Sequence, residues 1–170
     1  MQITSTELLG YLTELGITTS TTHHPPVRTA AEAQTLRGQI VGTHTKNLFL
    51  RDAKRNYFMV CLEEDTHVDL KQLRFLVGAR GGLSFGSPEA LHEMLGVIPG
   101  AVSPLCAIND RSGSVTFVLE RKLLSADLLS CHPLTNDCTT SLSPDHLLIF
   151  LRETNHEPQI ISVDGDYHPS

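Results

Sequence analysis

Three short stretches carry residue types and spacings that could do chemistry. The first is Thr43-His44-Thr45-Lys46-Asn47-Leu48-Phe49-Leu50-Arg51. It sets a lysine and an amide at the mouth of a run that turns apolar from Leu48 to Leu50, the pattern of a buried strand. A lysine just ahead of such a strand can lay its stem on the core while its ammonium faces a cleft. The second is Gly96-Val97-Ile98-Pro99-Gly100-Ala101-Val102-Ser103-Pro104, with two glycines and two prolines. That composition makes a stiff loop, and Gly100 lets another molecule approach bare peptide groups. The third is Cys131-His132-Pro133-Leu134-Thr135-Asn136-Asp137-Cys138. Its histidine is fixed by the following proline, and an amide stands four residues on, so the two can line a pocket. Each stretch alone also reads as an ordinary strand-end charge or connector.

Other chemistries fit less well. Cys131, His132 and Cys138 invite zinc, but no second ligand pair with zinc-finger spacing accompanies them. A Cys131–His132 catalytic pair fails because adjacent side chains of an extended segment point to opposite faces. Arg80-Gly81-Gly82-Leu83-Ser84 lacks the Gly-Lys-Ser/Thr ending of a phosphate-cradling loop. No convincing Ser-His-Asp set stands out.

The elements that must position these stretches are marked by their caps. Thr4-Ser5-Thr6-Glu7 is a capping box, followed by Leu8, Leu9, Leu12 and Leu15 on one helical face and a stop at Gly16. An extended segment through Thr22 leads into His23-His24-Pro25-Pro26, where helix is forbidden. Thr29-Ala30-Ala31-Glu32 is a second box, opening a short helix to about Gly38 whose N-terminus could face an anion or ester oxygen. Beyond Arg51, a polar turn and the segment from Tyr57 to Leu62 predict an antiparallel hairpin. Asp69 to Val77 predicts a helix capped by Gly78, and Ser87-Pro88-Glu89 opens another to about Leu95. Val115 to Leu119 reads as a strand, and Leu123 to Leu129 as a short helix or further strand. Ser143-Pro144-Asp145 opens the last helix, Ile160 to Val163 closes the fold, and the chain from Asp164 reads as loose.

The 170 residues suit one domain with a sizeable core. With 40% hydrophobic and 19% charged residues, the chain is globular rather than disordered. Its apolar runs are too short to span a bilayer, and it lacks the look of a secretory leader. Cys61, Cys106, Cys131 and Cys138 form no CxxC pair; reduced, packed thiols in a cytoplasmic protein are the simplest account, with a disulfide left open. The net charge of −6 argues against indiscriminate nucleic-acid binding. Residues 28–80 nevertheless hold nine of the 13 basic residues and six of the 19 acidic ones, a local excess of three positive charges.

In order and separation, Thr45-Lys46-Asn47-Leu48-Phe49-Leu50, Gly100-Ala101-Val102-Ser103-Pro104 and His132-Pro133-Leu134-Thr135-Asn136 resemble the YbaK/ProX family. These are free-standing relatives of the editing insertion domain of bacterial prolyl-tRNA synthetase. The resemblance covers essentially the whole chain and is greatest to the branch that deacylates alanine mischarged onto proline tRNA. It implies an α+β fold over residues 1–165, a single domain with a large curled mixed sheet flanked by helices, and a flexible tail at 166–170. It implies a hydrolase with Lys46 and Gly100 as catalytic residues. Thr29, Asn47, Ala101, Pro104, His132 and Asn136 would bind substrate, without cofactor or metal. The implied partner is mischarged tRNA(Pro), with prolyl-tRNA synthetase a further candidate, and neither membrane nor DNA. Rival readings are a deacylase of the same fold for cysteine or serine on that tRNA, a non-catalytic tRNA-binding module, and a metal hydrolase built on the histidines.

Overall fold

A computed structural model describes residues 2–26 and 30–163, with side-chain surroundings at 30, 33, 34 and 37 left aside. Thr29, with the cap expected of it, and the tail from Asp164 lie outside the described residues. Eight strands form one sheet in the order β1-β7-β6-β2-β3-β5-β8, with β4 added on β2. They are β1 (Ser20–His23), β2 (Thr43–Arg51), β3 (Tyr57–Glu63), β4 (Ser84–Phe85), β5 (Val115–Glu120), β6 (Leu129–Cys131), β7 (Cys138–Leu142) and β8 (Gln159–Ile161). The helices are α1 (Ser5–Glu14), α2 (Ala30–Arg37), α3 (Leu70–Val77), α4 (Pro88–Leu95) and α5 (Pro144–Glu153). The sheet is mixed, since β2 runs parallel to β6, and β5 parallel to both β3 and β8, while the other pairings are antiparallel. The α+β class implied by the family resemblance holds.

The caps set the helix ends. Thr4 and Glu7 make the reciprocal capping box of α1, and the side chains of Asp69, Ser87 and Ser143 each accept a backbone N–H at the start of α3, α4 and α5. Gly78 and Gly96 end α3 and α4 at φ 71, where a Cβ would cost energy.

Strand β3 shows why its sequence lacks polar alternation. Tyr57, Met59 and Cys61 face one layer, whereas Phe58, Val60 and Leu62 face the other. A strand covered on both sides is apolar throughout. The larger core holds Leu8 and Leu12 of α1, Leu95 of α4 and Phe150 of α5, all fully buried. The smaller one packs Leu73 and Val77 of α3 on Leu50, Val60 and Val118.

One expectation needs correction. The strand carrying Lys46 begins three residues earlier, at Thr43, so the lysine sits within the strand and not at its mouth. Pairing with β6 at Thr43 and His44 extends it. The segment from Leu123 resolves into a 3-10 turn over Arg121–Ser125, with strand only from Leu129. Strand β7 has no counterpart in the sequence reading. Among the described residues, no helix is long and apolar enough to cross a membrane.

Candidate functional site

Strand β2 belongs to two half-sheets, and the site lies where it parts from one of them. It pairs with β6 only through Thr43–Leu129 and His44–Ser130, then continues alongside β3. Strand β6 ends at Cys131, and residues 132–137 loop back into β7. The register therefore puts His44 and Lys46 on the sheet face that carries Ser130, two residues before His132.

The 99–104 segment is fastened to this hairpin. Ser103 Oγ donates to the His132 carbonyl at 2.6 Å and accepts from Leu105 N at 3.1 Å. A Cβ on Gly100 would lie 3.4 Å from Asn136 Nδ2, so that glycine and that amide are neighbours. Gly100 is exposed within a 3-10 turn, Pro99–Ala101. Ala101 and Pro104 are buried, so their side chains shape the loop from beneath. Asn47 points to the other side of β2, into a small cleft with Phe49, Phe85, Pro99 and Val102.

His132 is half-buried. Its Nδ1 donates to the Cys138 carbonyl across 3.5 Å, leaving Nε2 as an acceptor. Burial pushes its pKa below the ordinary 6.5, the Cys138 contact opposes this, and the neighbouring His24 pushes it lower still. His24 is a site residue that the sequence reading passed over. Its Nδ1 donates to the Pro25 carbonyl at 2.9 Å, and its Nε2 pairs with Thr139 Oγ1 at 2.9 Å. Its backbone N–H donates to the Asp137 carbonyl at 2.9 Å, tying β1 to the hairpin tip. The signal was the pair of prolines after it, which hold the chain rigid there. His24, Pro25 and Pro26 form one wall of a cleft of about 610 Å³, and Glu32, Thr35 and Leu36 of α2 form the other. That volume exceeds an alanyl group and has room for the end of a nucleotide.

Lys46 is half-buried, and its ammonium donates to the Thr66 carbonyl. Thr66 is itself anchored, because its Oγ1 donates to the buried Glu120 carboxylate at 2.7 Å. Glu63 N donates to the same carboxylate at 2.9 Å. The Ser103–His132 hydrogen bond and the closeness of Gly100 to Asn136 thus join the loop to the hairpin, whereas Lys46 lies on the face of β2 opposite Asn47 and the Pro99–Val102 loop and points its cation at Thr66. Thr29 lies outside the described residues.

The four cysteines are buried free thiols. Burial and the neighbouring Cys106 push Cys131 up to about 12, which leaves it protonated and inert as a nucleophile. Among the described residues, no three His, Cys, Asp or Glu side chains are placed to hold a metal ion.

Fold and site together define an α+β protein of one mixed sheet whose chemistry-bearing loops gather where two strands part. The chain belongs to the aminoacyl-tRNA editing domain family, whose model matches residues 24–150, and within it to the YbaK/ProX group. It is 40% identical over 160 residues to prolyl-tRNA synthetase associated domain-containing protein 1 of Danio rerio, covering 93% of this chain and 86% of that one. It is 36% identical over 141 residues to the prolyl-tRNA editing protein ProX of Acetoanaerobium sticklandii, covering 82% and 85%. A crystal structure of a proposed trans-editing enzyme for prolyl-tRNA synthetase shares the fold at TM-score 0.69 and 21% identity, over 96% of this chain and 98% of that one.

Proposed function

We propose that this protein is a trans-editing deacylase that hydrolyses the ester of alanine mischarged onto tRNA(Pro). It would act in the cytoplasm, free-standing or beside prolyl-tRNA synthetase. The observation that carries the reading is the fastening of the Gly100 loop to the His132–Asn136 hairpin, through the 2.6 Å Ser103–His132 hydrogen bond and the Gly100–Asn136 contact. It sets an exposed peptide and a neutral imidazole on one rigid unit. Family membership supports the reading.

The need for such an enzyme is steric. A proline pocket cannot exclude a smaller amino acid, because each missing methylene is worth only about 1–3 kcal/mol. A second site that cleaves the wrong ester restores accuracy. Water adds to the ester carbonyl carbon, giving a tetrahedral oxyanion. The bond from that carbon to the ribose 3′-oxygen then breaks, the oxygen takes a proton, and alanine leaves tRNA with a free 3′-hydroxyl. The substrate's own 2′-hydroxyl orients the water, so no protein nucleophile is required. Peptide groups at Gly100 steady the ribose or the oxyanion, with Ala101 and Pro104 fixing the turn beneath them. His132 walls the amino-acid pocket, Asn136 braces Gly100, and Asn47 supports the second side of β2. Lys46 holds the terminal phosphate or ester, exchanging its Thr66 hydrogen bond for the substrate. Thr29, which lies outside the described residues, is assigned to substrate binding by the family resemblance alone.

Deacylation of alanyl-, cysteinyl-, seryl- and prolyl-tRNA(Pro) by the purified protein tests the proposal. Alanyl-tRNA(Pro) should be cleaved and prolyl-tRNA(Pro) spared; a preference for the cysteinyl or seryl ester would transfer the assignment to that substrate. Lys46→Ala should lower kcat/KM at least 100-fold, about 2.7 kcal/mol of transition-state stabilisation. Wild-type turnover by that variant would remove the lysine from the mechanism.

A further inference from the structure

At the far end of β2 from the hairpin, two loops are pressed into one basic platform. The turn of residues 52–56 and the bend of residues 79–82 meet over Asp52, which is 1% exposed. Its carboxylate accepts from Lys54 N and Asn56 N at 2.9 Å through one oxygen. The other oxygen accepts from Arg80 N at 2.9 Å and Asn56 Nδ2 at 3.0 Å. Ala53 N donates to the Arg80 carbonyl at 3.2 Å. A Cβ on Gly81 would stand 2.7 Å from the Ala53 Cβ, so the two loops touch. Lys54, Arg55 and Arg80 are all exposed on this platform, and Arg51 is half-buried at its base. Among the described residues, none of the four makes an ion pair. The only carboxylate within the two loops is Asp52 itself, turned inward and satisfied by N–H donors.

From this platform the chain runs directly to Phe85. That residue is 63% exposed, an unusual setting for a phenylalanine, and it lines the small cleft shared with Asn47, Pro88, Pro99 and Val102. Ile98, 54% exposed, is the residue before Pro99. Cations, an exposed aromatic ring and the Gly100 loop therefore follow one another along β2 and β4. The six residues from Lys46 to Arg51 span about 17 Å, a distance bridged by a few nucleotides of extended single strand.

We propose that this surface is the track for the unpaired 3′ end of an RNA substrate, with Phe85 stacking a base and the Asp52-joined loops gripping phosphates. Interleaved cations and an exposed ring are what sequence-tolerant single-strand binding requires. The net charge of the whole chain is −6, so RNA is attracted here and repelled over much of the remaining surface. The inference deepens the deacylase reading by naming where the substrate's strand lies.

The test is fluorescence anisotropy of uncharged tRNA(Pro), and of a labelled single-stranded RNA ending in CCA, titrated with full-length protein over a series of KCl concentrations. Phe85→Ala should raise Kd for both probes roughly 5- to 100-fold, and Phe85→Trp should restore binding. The double variant Lys54→Gln/Arg55→Gln should reduce the slope of log K against log salt by about 1 to 1.5. All these positions are exposed, and far-UV circular dichroism verifies that the variants fold. Wild-type Kd and salt slope in both variants would overturn the track. Weakened binding in a protein that deacylates no charged tRNA would keep the track and refute the deacylase. Unchanged binding in an active deacylase would do the reverse.

Discussion

His132 meets its surroundings as a neutral ring. Burial and His24 set its pKa below 6.5 against the opposing pull of the Cys138 carbonyl. A histidine with a depressed folded-state pKa contributes stability that is complete above its unfolded value and lost as pH falls through the folded one. Deacylation that depends on the neutral ring should therefore hold through pH 6.5 and decline only at lower pH. A kcat/KM profile measures this, and His132→Asn should abolish that limb of the curve. Asp52 behaves as the carboxylate counterpart. Burial acts to raise its pKa, but hydrogen bonds from Arg80, Asn56 and Lys54 outweigh that and bring it to about 2. Its contribution is present above about 3.8 and disappears as pH approaches 2. Asp52→Ala strands three backbone N–H groups and should cost about 2–4 kcal/mol by urea denaturation. Nothing in the sequence marked Asp52 as more than a turn residue. Its importance comes from the Arg80 N–H, 28 residues away.

The elements divide into those whose ends are written locally and those that depend on distant partners. The starts of α1, α3, α4 and α5 were legible because one side chain and a nearby N–H make each cap. Strand β7 was not. Its sequence, Cys-Thr-Thr-Ser-Leu, is buried at every position and lies between β1 and β6, so it shows neither polar alternation nor an apolar run. Its hydroxyls find partners across the sheet, as in Thr21 Oγ1 with Thr140 Oγ1 at 2.9 Å and Ser141 Oγ donating to the Val41 carbonyl at 2.7 Å. The three site motifs were visible as sequences, but their fastening was not, because Ser103 read only as part of a stiff loop and His24 as part of a connector. Ser103→Ala removes the donor to His132 and should cost about 1–3 kcal/mol. The same change should lower kcat/KM by loosening the hairpin, whereas Ser103→Thr should recover part of both. Gly42, at φ 128, sits against Ser130, whose Oγ would be 2.8 Å from an added Cβ. Gly42→Ala should disturb the short β2–β6 pairing, read as faster amide exchange at Thr43 and Thr45.

At the level of the whole molecule, the sheet separates two cores with different duties. The larger one, with Leu105, Cys106 and Ala107, underlies the Gly100 loop; the smaller one lies under α3. Phe150→Ala in the first and Leu73→Ala in the second should each cost several kcal/mol, about 3–5 and 2–5 respectively. Their effects on turnover should differ. Phe150→Ala should lower kcat/KM at temperatures where the protein is still folded, and Leu73→Ala should not. Thermal denaturation paired with activity at fixed temperature distinguishes the two.

Strand β1, near the start of the chain, is paired along its length with β7, which ends at Leu142. On the ribosome, residues 20–23 must therefore wait for a partner made more than a hundred residues later. Until then His24 has no Thr139 or Asp137 to bind. A nascent or prematurely terminated product has no assembled cleft, so under the deacylase proposal a cell making such fragments would gain no stray esterase from them.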